Sequence, residues 1–283
     1  MKNRKLHLSA FFAALLIIGL ASTGVQAQED ANAAAKAAMK KDSTGTNPIN
    51  FTHDLRIFHE YQFLNTPGDG DQQVTTLEFR IPFSDGKWQF RIRARGQQLN
   101  IDTNDDGIDE VSDGGAGDFD FRILTVPIVD MKNKFALAVG FETFLPTATE
   151  DSLGSGALSF GPQLFGVFFN PFGIKGTLIA PAYQHKFSIA EDDGRDEVHQ
   201  GLIDIFFLWI SPAKQYWALF DPQIILDYEE DKEFMIVDLE VGTMLDKYLG
   251  TKGHSVYLRP SIAIGDDRPT EGSIEVGYKI IWR

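Results

Sequence analysis

The nine residues Lys87-Trp-Gln-Phe-Arg-Ile-Arg-Ala-Arg95 put apolar and polar side chains on strictly opposite faces of an extended chain. A strand turns successive side chains to alternate sides, so Trp88, Phe90, Ile92 and Ala94 share one face while Gln89, Arg91, Arg93 and Arg95 share the other. One such strand fits a soluble sandwich. Here the pattern recurs about twelve times between acidic connections, as in strands that are greasy outside and charged inside. The chain therefore reads as all-β: a single transmembrane antiparallel β-barrel of about 12 strands.

The first residues describe export. Lys2, Arg4 and Lys5 form a basic start, Leu8 to Leu20 an apolar run, and Val25-Gln26-Ala27 a small-residue exit. Residues 1–27 thus read as a signal peptide cleaved before Gln28, the run being too short for a transmembrane anchor. Removing them leaves 23 basic against 40 acidic residues, a net charge of −17. Such acidity argues against a nucleic-acid partner, which needs a basic patch. The chain has no cysteine, which excludes disulfides, thiol catalysis and thiolate metal sites. Beyond the signal, no apolar run approaches the roughly 20 residues of a membrane helix, a test that barrels evade because every second residue faces inward. Residues 28–46 are Ala-rich and charged, and read as a periplasmic tail or short helix, a plug entering the barrel being the sharper alternative. Residues 47–283 make the barrel.

Within it, Leu55, Ile57, His59, Tyr61 and Phe63 oppose Asp54, Arg56, Glu60 and Gln62, and Leu77, Phe79, Ile81 and Phe83 oppose Glu78 and Arg80. Phe119, Phe121 and Ile123 oppose Asp120 and Arg122, and Phe135, Leu137, Val139 and Phe141 oppose small Ala136, Ala138 and Gly140. Tight turns are expected at Ser84–Lys87, Asp130–Asn133, Asn170–Gly173 and Ser211–Lys214, with a slightly longer link near Lys247–Gly253. Between them come mostly longer and acidic loops at 65–72, 99–117, 146–157, 188–196, 229–232 and 265–271. Short periplasmic turns and longer external loops are the bacterial barrel pattern. Trp88, Trp209, Trp217 and Trp282 all fall at the short-turn ends, where an aromatic girdle at the membrane interface is expected.

Asn47-Pro48, Gly115-Ala-Gly-Asp-Phe119, Leu145-Pro-Thr-Ala-Thr-Glu-Asp-Ser-Leu-Gly-Ser-Gly156 and Phe160-Gly-Pro162 give the chain a resemblance to a known group. It resembles the exported barrels assigned to the MetA-pathway of phenol degradation, or grouped simply as transporters, from about residue 47 to the end. The resemblance implies an outer-membrane location and passage of small, aromatic or apolar, molecules. It implies no catalytic residues.

The inward faces nominate a charged lumen formed by Arg56, Glu60, Arg80, Arg91, Arg93, Arg95, Arg122, Glu142, Asp221, Asp238, Glu240 and Arg259. Its first half is arginine-rich and its second carboxylate-rich. Closure is expected to let opposite charges pair, either as a filled structural network or as a constriction whose arginines choose what passes. Asp102-Thr-Asn-Asp-Asp-Gly-Ile-Asp-Glu110 is similar to short calcium loops, with Asp102, Asn104 and Asp106 as alternate oxygen ligands. Position twelve is Asp113 rather than a bidentate glutamate, so a solvated acidic loop and an external Ca2+ site both stay open. No other cofactor is expected. The sequence has no G-x-S-x-G elbow and no H-E-x-x-H, so no enzyme is expected. A lipid-facing hydrolase would need His59 paired with a serine on a neighbouring strand, and none is in register. The expected function is an outer-membrane channel or transporter. The alternatives are a closed structural or interaction barrel and a soluble exported β-barrel binder. Expected partners are outer-membrane lipid and lipopolysaccharide, the barrel-assembly machinery and a small-molecule cargo.

Overall fold

A computed structural model describes residues 44–66, 69–102, 111–250 and 252–282. They form β1 (His53–Leu64), β2 (Asp69–Phe83), β3 (Trp88–Asp102), β4 (Val111–Ala116), β5 (Phe119–Asp130), β6 (Phe135–Leu145), β7 (Ala157–Phe169), β8 (Thr177–Glu191), β9 (His199–Ile210), β10 (Tyr216–Asp227), β11 (Lys232–Met244), β12 (His254–Ile264) and β13 (Thr270–Trp282). Apart from β4 and β5, which both pair with β3, each strand pairs antiparallel with its chain neighbours, and β1 pairs with both β2 and β13, so the sheet closes on itself. Closure pairs both edges of every strand position in the barrel wall, which is what a sheet in hydrocarbon requires, and only the short β4 keeps an unpaired edge among the described residues.

β4 and β5 are two parts of one strand position. Both pair with β3, but Arg93 faces Asp120 whereas Gly96 faces Ala116, a slip of one residue at Gly117-Asp118. The result is a closed 12-strand barrel with β4 as an extra piece continuing β5 beyond the rim. The expected loop 99–117 is therefore largely a β3–β4 hairpin whose described ends are Asp102 and Val111. Asn104 and Asp106 of the calcium reading lie outside the described residues, and Asp102 ends β3 with its side chain buried.

Alternation assigns the faces as expected. Leu77, Ile57, Val276, Ile92 and Trp88 stand on the outer face with 51, 49, 49, 40 and 38 % of their surface exposed, while Asp54, Arg56, Glu78, Arg91 and Asp120 are buried inside. An outer face this apolar fits lipid, not water. Among the described residues no helix is long and apolar enough to cross a membrane, a test that does not address barrels.

Trp217 corrects the girdle assignment. Trp88, Trp209 and Trp282 face outward near the short turns, but Trp217 is only 1 % exposed. Trp209 pairs with Ala218, so Ala218 shares its outward face and Trp217 must point in. There its indole Nε1 donates to Glu240 Oε1 at 2.6 Å, and Tyr216 takes the outer position. Gly242 lies directly across, where a Cβ would sit 2.0 Å from the Trp217 ring.

The short-turn half of the interior is also less polar than expected. Ala136, Ala138, Val167, Leu178, Ala180, Leu208, Trp217, Leu219, Met244 and Tyr257 form one buried apolar cluster on the inner faces of β6 to β12. Ile49 joins it from the segment before β1. Residues 28–43 lie outside the described residues, but Thr44 is fully buried, and the Gly45 carbonyl accepts from Arg56 Nη2 at 2.8 Å. Thr44 to Asn50 thus packs inside the short-turn mouth.

Candidate transport lumen

The charged side chains come from strand positions two residues apart, the spacing that stacks them on one face. Arg91, Arg93 and Arg95 form a ladder on β3, and the register sets β2 carboxylates on one side and β5 and β6 carboxylates on the other. Arg80 Nε donates to Glu78 Oε1 at 2.6 Å, and Glu78 also lies 3.3 Å from Arg56 Nε. Arg93 Nε donates to Asp120 Oδ1 at 2.9 Å and its Nη2 to Glu142 Oε1 at 2.7 Å. Arg91 Nη2 donates to Glu142, and Arg95 Nη2 to Asp120 Oδ2 at 2.5 Å. Arg122 has no ion pair within 4 Å among the described residues, and its buried Nε lacks an acceptor.

A second network lies around β10 to β13. Glu240 accepts from Trp217, from Arg259 Nη2 at 2.5 Å and from Lys279 Nζ at 3.1 Å, with Lys279 4.4 Å from the centre of the Tyr257 ring. Opposite charges therefore pair mainly between neighbouring strands, not across the lumen as the sequence reading expected. Burying so many charges is tolerable only because each carboxylate of these networks has several donors.

A cavity of about 610 Å3 occupies the middle of the barrel. Of the twelve nominated lumen residues, Arg56, Glu60, Arg80, Arg91, Arg93, Arg95, Arg122, Glu142, Asp221 and Arg259 line it. Asp238 lines a second cavity of about 440 Å3 reaching Pro269 and Thr270 at the loop end. Glu60, Gln184, Arg259 and Glu275 border both, so the two meet. Glu240 lines neither, being buried under its three donors. The sequence reading missed Gln163, Phe165, Gln184 and Lys186, which complete the wall. The apolar run Leu178-Ile-Ala-Pro-Ala182 was the available sign that part of the inner wall is not polar.

The two motifs that carry the family resemblance meet at the loop end. Asp118, at the break between β4 and β5, accepts from the backbone N–H groups of Thr147 (3.0 Å), Ala148 (3.1 Å) and Ser155 (2.8 Å) and from Ser155 Oγ (3.0 Å). A Cβ at Gly154 would lie 2.6 Å from Asp118 Oδ1, so glycine is required for this approach. Arg195 Nη2 holds the other side, donating to the carbonyls of Asp151 (2.6 Å) and Gly154 (3.2 Å). On the outer face, His59 Nδ1 meets Thr75 Oγ1 at 2.9 Å, a threonine where the hydrolase reading needs a serine.

No family model matches the chain, and no curated protein matches it in sequence. Solved structures match its shape. An outer membrane channel from Pseudomonas putida F1 gives a TM-score of 0.65 at 8 % identity, over 82 % of this chain and 96 % of that one. The NanC porin gives 0.52 at 8 % identity, over 82 % and 99 %. The class defined is the outer-membrane type of β-barrel, and at these identities the likeness is one of fold. The resemblance to the MetA-pathway barrels rests on the motifs alone.

Proposed function

We propose that this protein is an outer-membrane channel for small molecules, exported by the segment 1–27. The observation that carries this reading is the charged central cavity of about 610 Å3 inside a closed barrel whose outer face is apolar. A soluble binder would not expose Leu77, Ile57 and Val276 by half. A charge-lined space suits polar more than apolar cargo, so the aromatic or apolar molecules implied by the family resemblance have less support. No catalytic role is proposed, and calcium at residues 102–106 stays a separate proposal, tested by calorimetric titration. The apolar cluster with Ile49 at the short-turn mouth favours a second reading, a barrel closed at rest. Single-channel recording with the chain lacking residues 1–27 in a planar bilayer decides between them. Steady steps support the channel, whereas a folded, inserted and silent barrel supports closure.

A further inference from the structure

The two walls of the central cavity carry opposite uncompensated charge. On β2, β3, β5 and β6, the five inward arginines described above share three carboxylates, Glu78, Asp120 and Glu142. Arg122 is the member left without an ion pair among the described residues, and Arg91 Nε is buried with no hydrogen-bond acceptor, its nearest carboxylate being Glu78 at 3.9 Å. On β9, β10 and β11 the inward acids bordering the cavities are Asp204, Asp221 and Asp238, while Glu240 on β11 is taken by Arg259 and Lys279; among the described residues no cation lies within 4 Å of the first three. The nearby guanidinium of Arg259 is committed to Glu240 at 2.5 Å.

Topology makes these walls face each other. Around the twelve strand positions, β9, β10 and β11 stand six places from β2, β3 and β5. Asp204 and Asp221 line the same cavity as Arg80, Arg91 and Arg122. The acids are also set against one another: Asp221 pairs directly with Asp238 across β10 and β11, and Gln223, the next inward residue of β10, pairs with Asp204. Like charges directly opposed are destabilising in a sheet. Asp221 is 6 % exposed, and among the described residues no N–H reaches its Oδ1 or that of Asp204, whose carboxyl groups meet each other. Among the described residues Gln223 Nε2 is the one N–H donor reaching the trio, at 3.1 Å from Asp238 Oδ2 and 3.4 Å from Asp221 Oδ2. An arrangement that costs the fold stability and leaves acceptors aimed into a cavity marks a ligand site.

We infer that the cavity between these walls binds and passes small organic zwitterions, with the carboxylate toward Arg122 on β5 and the ammonium toward Asp204, Asp221 and Asp238. The inference rests on the channel reading for passage but not for binding. An ammonium supplies the positive charge and N–H donors that the acid trio lacks, and a carboxylate accepts from the unpartnered guanidinium. A molecule carrying one charge finds one wall favourable and the other repulsive. Field lines between opposed charges in a low-dielectric wall are focused, so a dipolar solute is also oriented on entry.

The test compares four solutes of five carbons: 5-aminopentanoate, glutarate, 1,5-diaminopentane and xylitol. Binding to the folded barrel in detergent is followed by calorimetry, and flux by swelling of proteoliposomes. The expected result is strongest binding and fastest flux for 5-aminopentanoate. In the Asp204→Asn/Asp221→Asn/Asp238→Asn variant, checked for folding by heat-modifiable gel mobility, its affinity falls at least tenfold while that of glutarate rises. Asp221→Asn alone, measured in parallel, gives a smaller fall in the same direction and keeps the test available if the triple variant does not fold. Equal binding of the four solutes, or strongest binding of glutarate, overturns the inference. Flux of xylitol without preference for 5-aminopentanoate also overturns it and leaves the channel intact. Binding of 5-aminopentanoate without flux of any solute upholds the site and refutes the channel.

Discussion

Asp118→Ala removes the acceptor that joins the two family-like motifs. Four hydrogen bonds are lost, three from backbone N–H groups and one from Ser155 Oγ. At about 1 kcal/mol net each, the clamp contributes roughly 4 kcal/mol if none of its donors is rehydrated. The site is only part-buried, so water recovers some of this, and a loss of about 2–3 kcal/mol is expected for ordering residues 145–156. That corresponds to a roughly 30- to 150-fold faster local opening equilibrium. Amide hydrogen exchange of the refolded barrel reads it at Thr147, Ala148 and Ser155. The strands of the barrel keep their protection, because Asp118 lies at the rim between β4 and β5. Unchanged exchange at all three amides would refute the reasoning that Asp118 organises this loop.

Three further outcomes follow from the interior. Brominated lipids should quench single-tryptophan variants retaining Trp88, Trp209 or Trp282 but not one retaining Trp217, and equal quenching of all four would place Trp217 on the lipid face. Gly242→Ala forces a Cβ to within 2.0 Å of Trp217 and should cost about 1–3 kcal/mol, read as a lower urea midpoint. Glu240→Gln leaves Lys279 and Arg259 without their shared carboxylate and should cost about 3–5 kcal/mol in the same assay, while an unchanged midpoint would mean that the network contributes little.

Most of the barrel could be read from residue alternation, because a period of two assigns every side chain to lipid or lumen once one strand is placed. The β3 arginines and their partners on β2 and β5 were found this way. Trp217 was misplaced because Tyr216 and Trp217 put an aromatic on each face, and only pairing with β9 decides which is outside. The break at Gly117-Asp118 is set by a loop some 30 residues downstream, so no local pattern announces it. The apolar half of the interior went unseen because a run such as Leu178 to Ala182, apolar on both faces, blurs the alternation. The charge separation across the lumen was half-visible: the arginine-rich and carboxylate-rich halves are plain in the sequence, but which strands oppose one another requires the closed order.

The central claim is that the charged cavity is a conduction path. Its most direct test is the reversal potential of single channels in a KCl gradient, for the wild-type chain and for Arg122→Gln. Arg122 lines the cavity and has no ion pair among the described residues, so the substitution removes lumen charge without breaking one of the described networks. The account predicts conducting channels in both, with the variant shifted toward cations. Conductance with an unchanged reversal potential, or no conductance from a correctly inserted barrel, would contradict it.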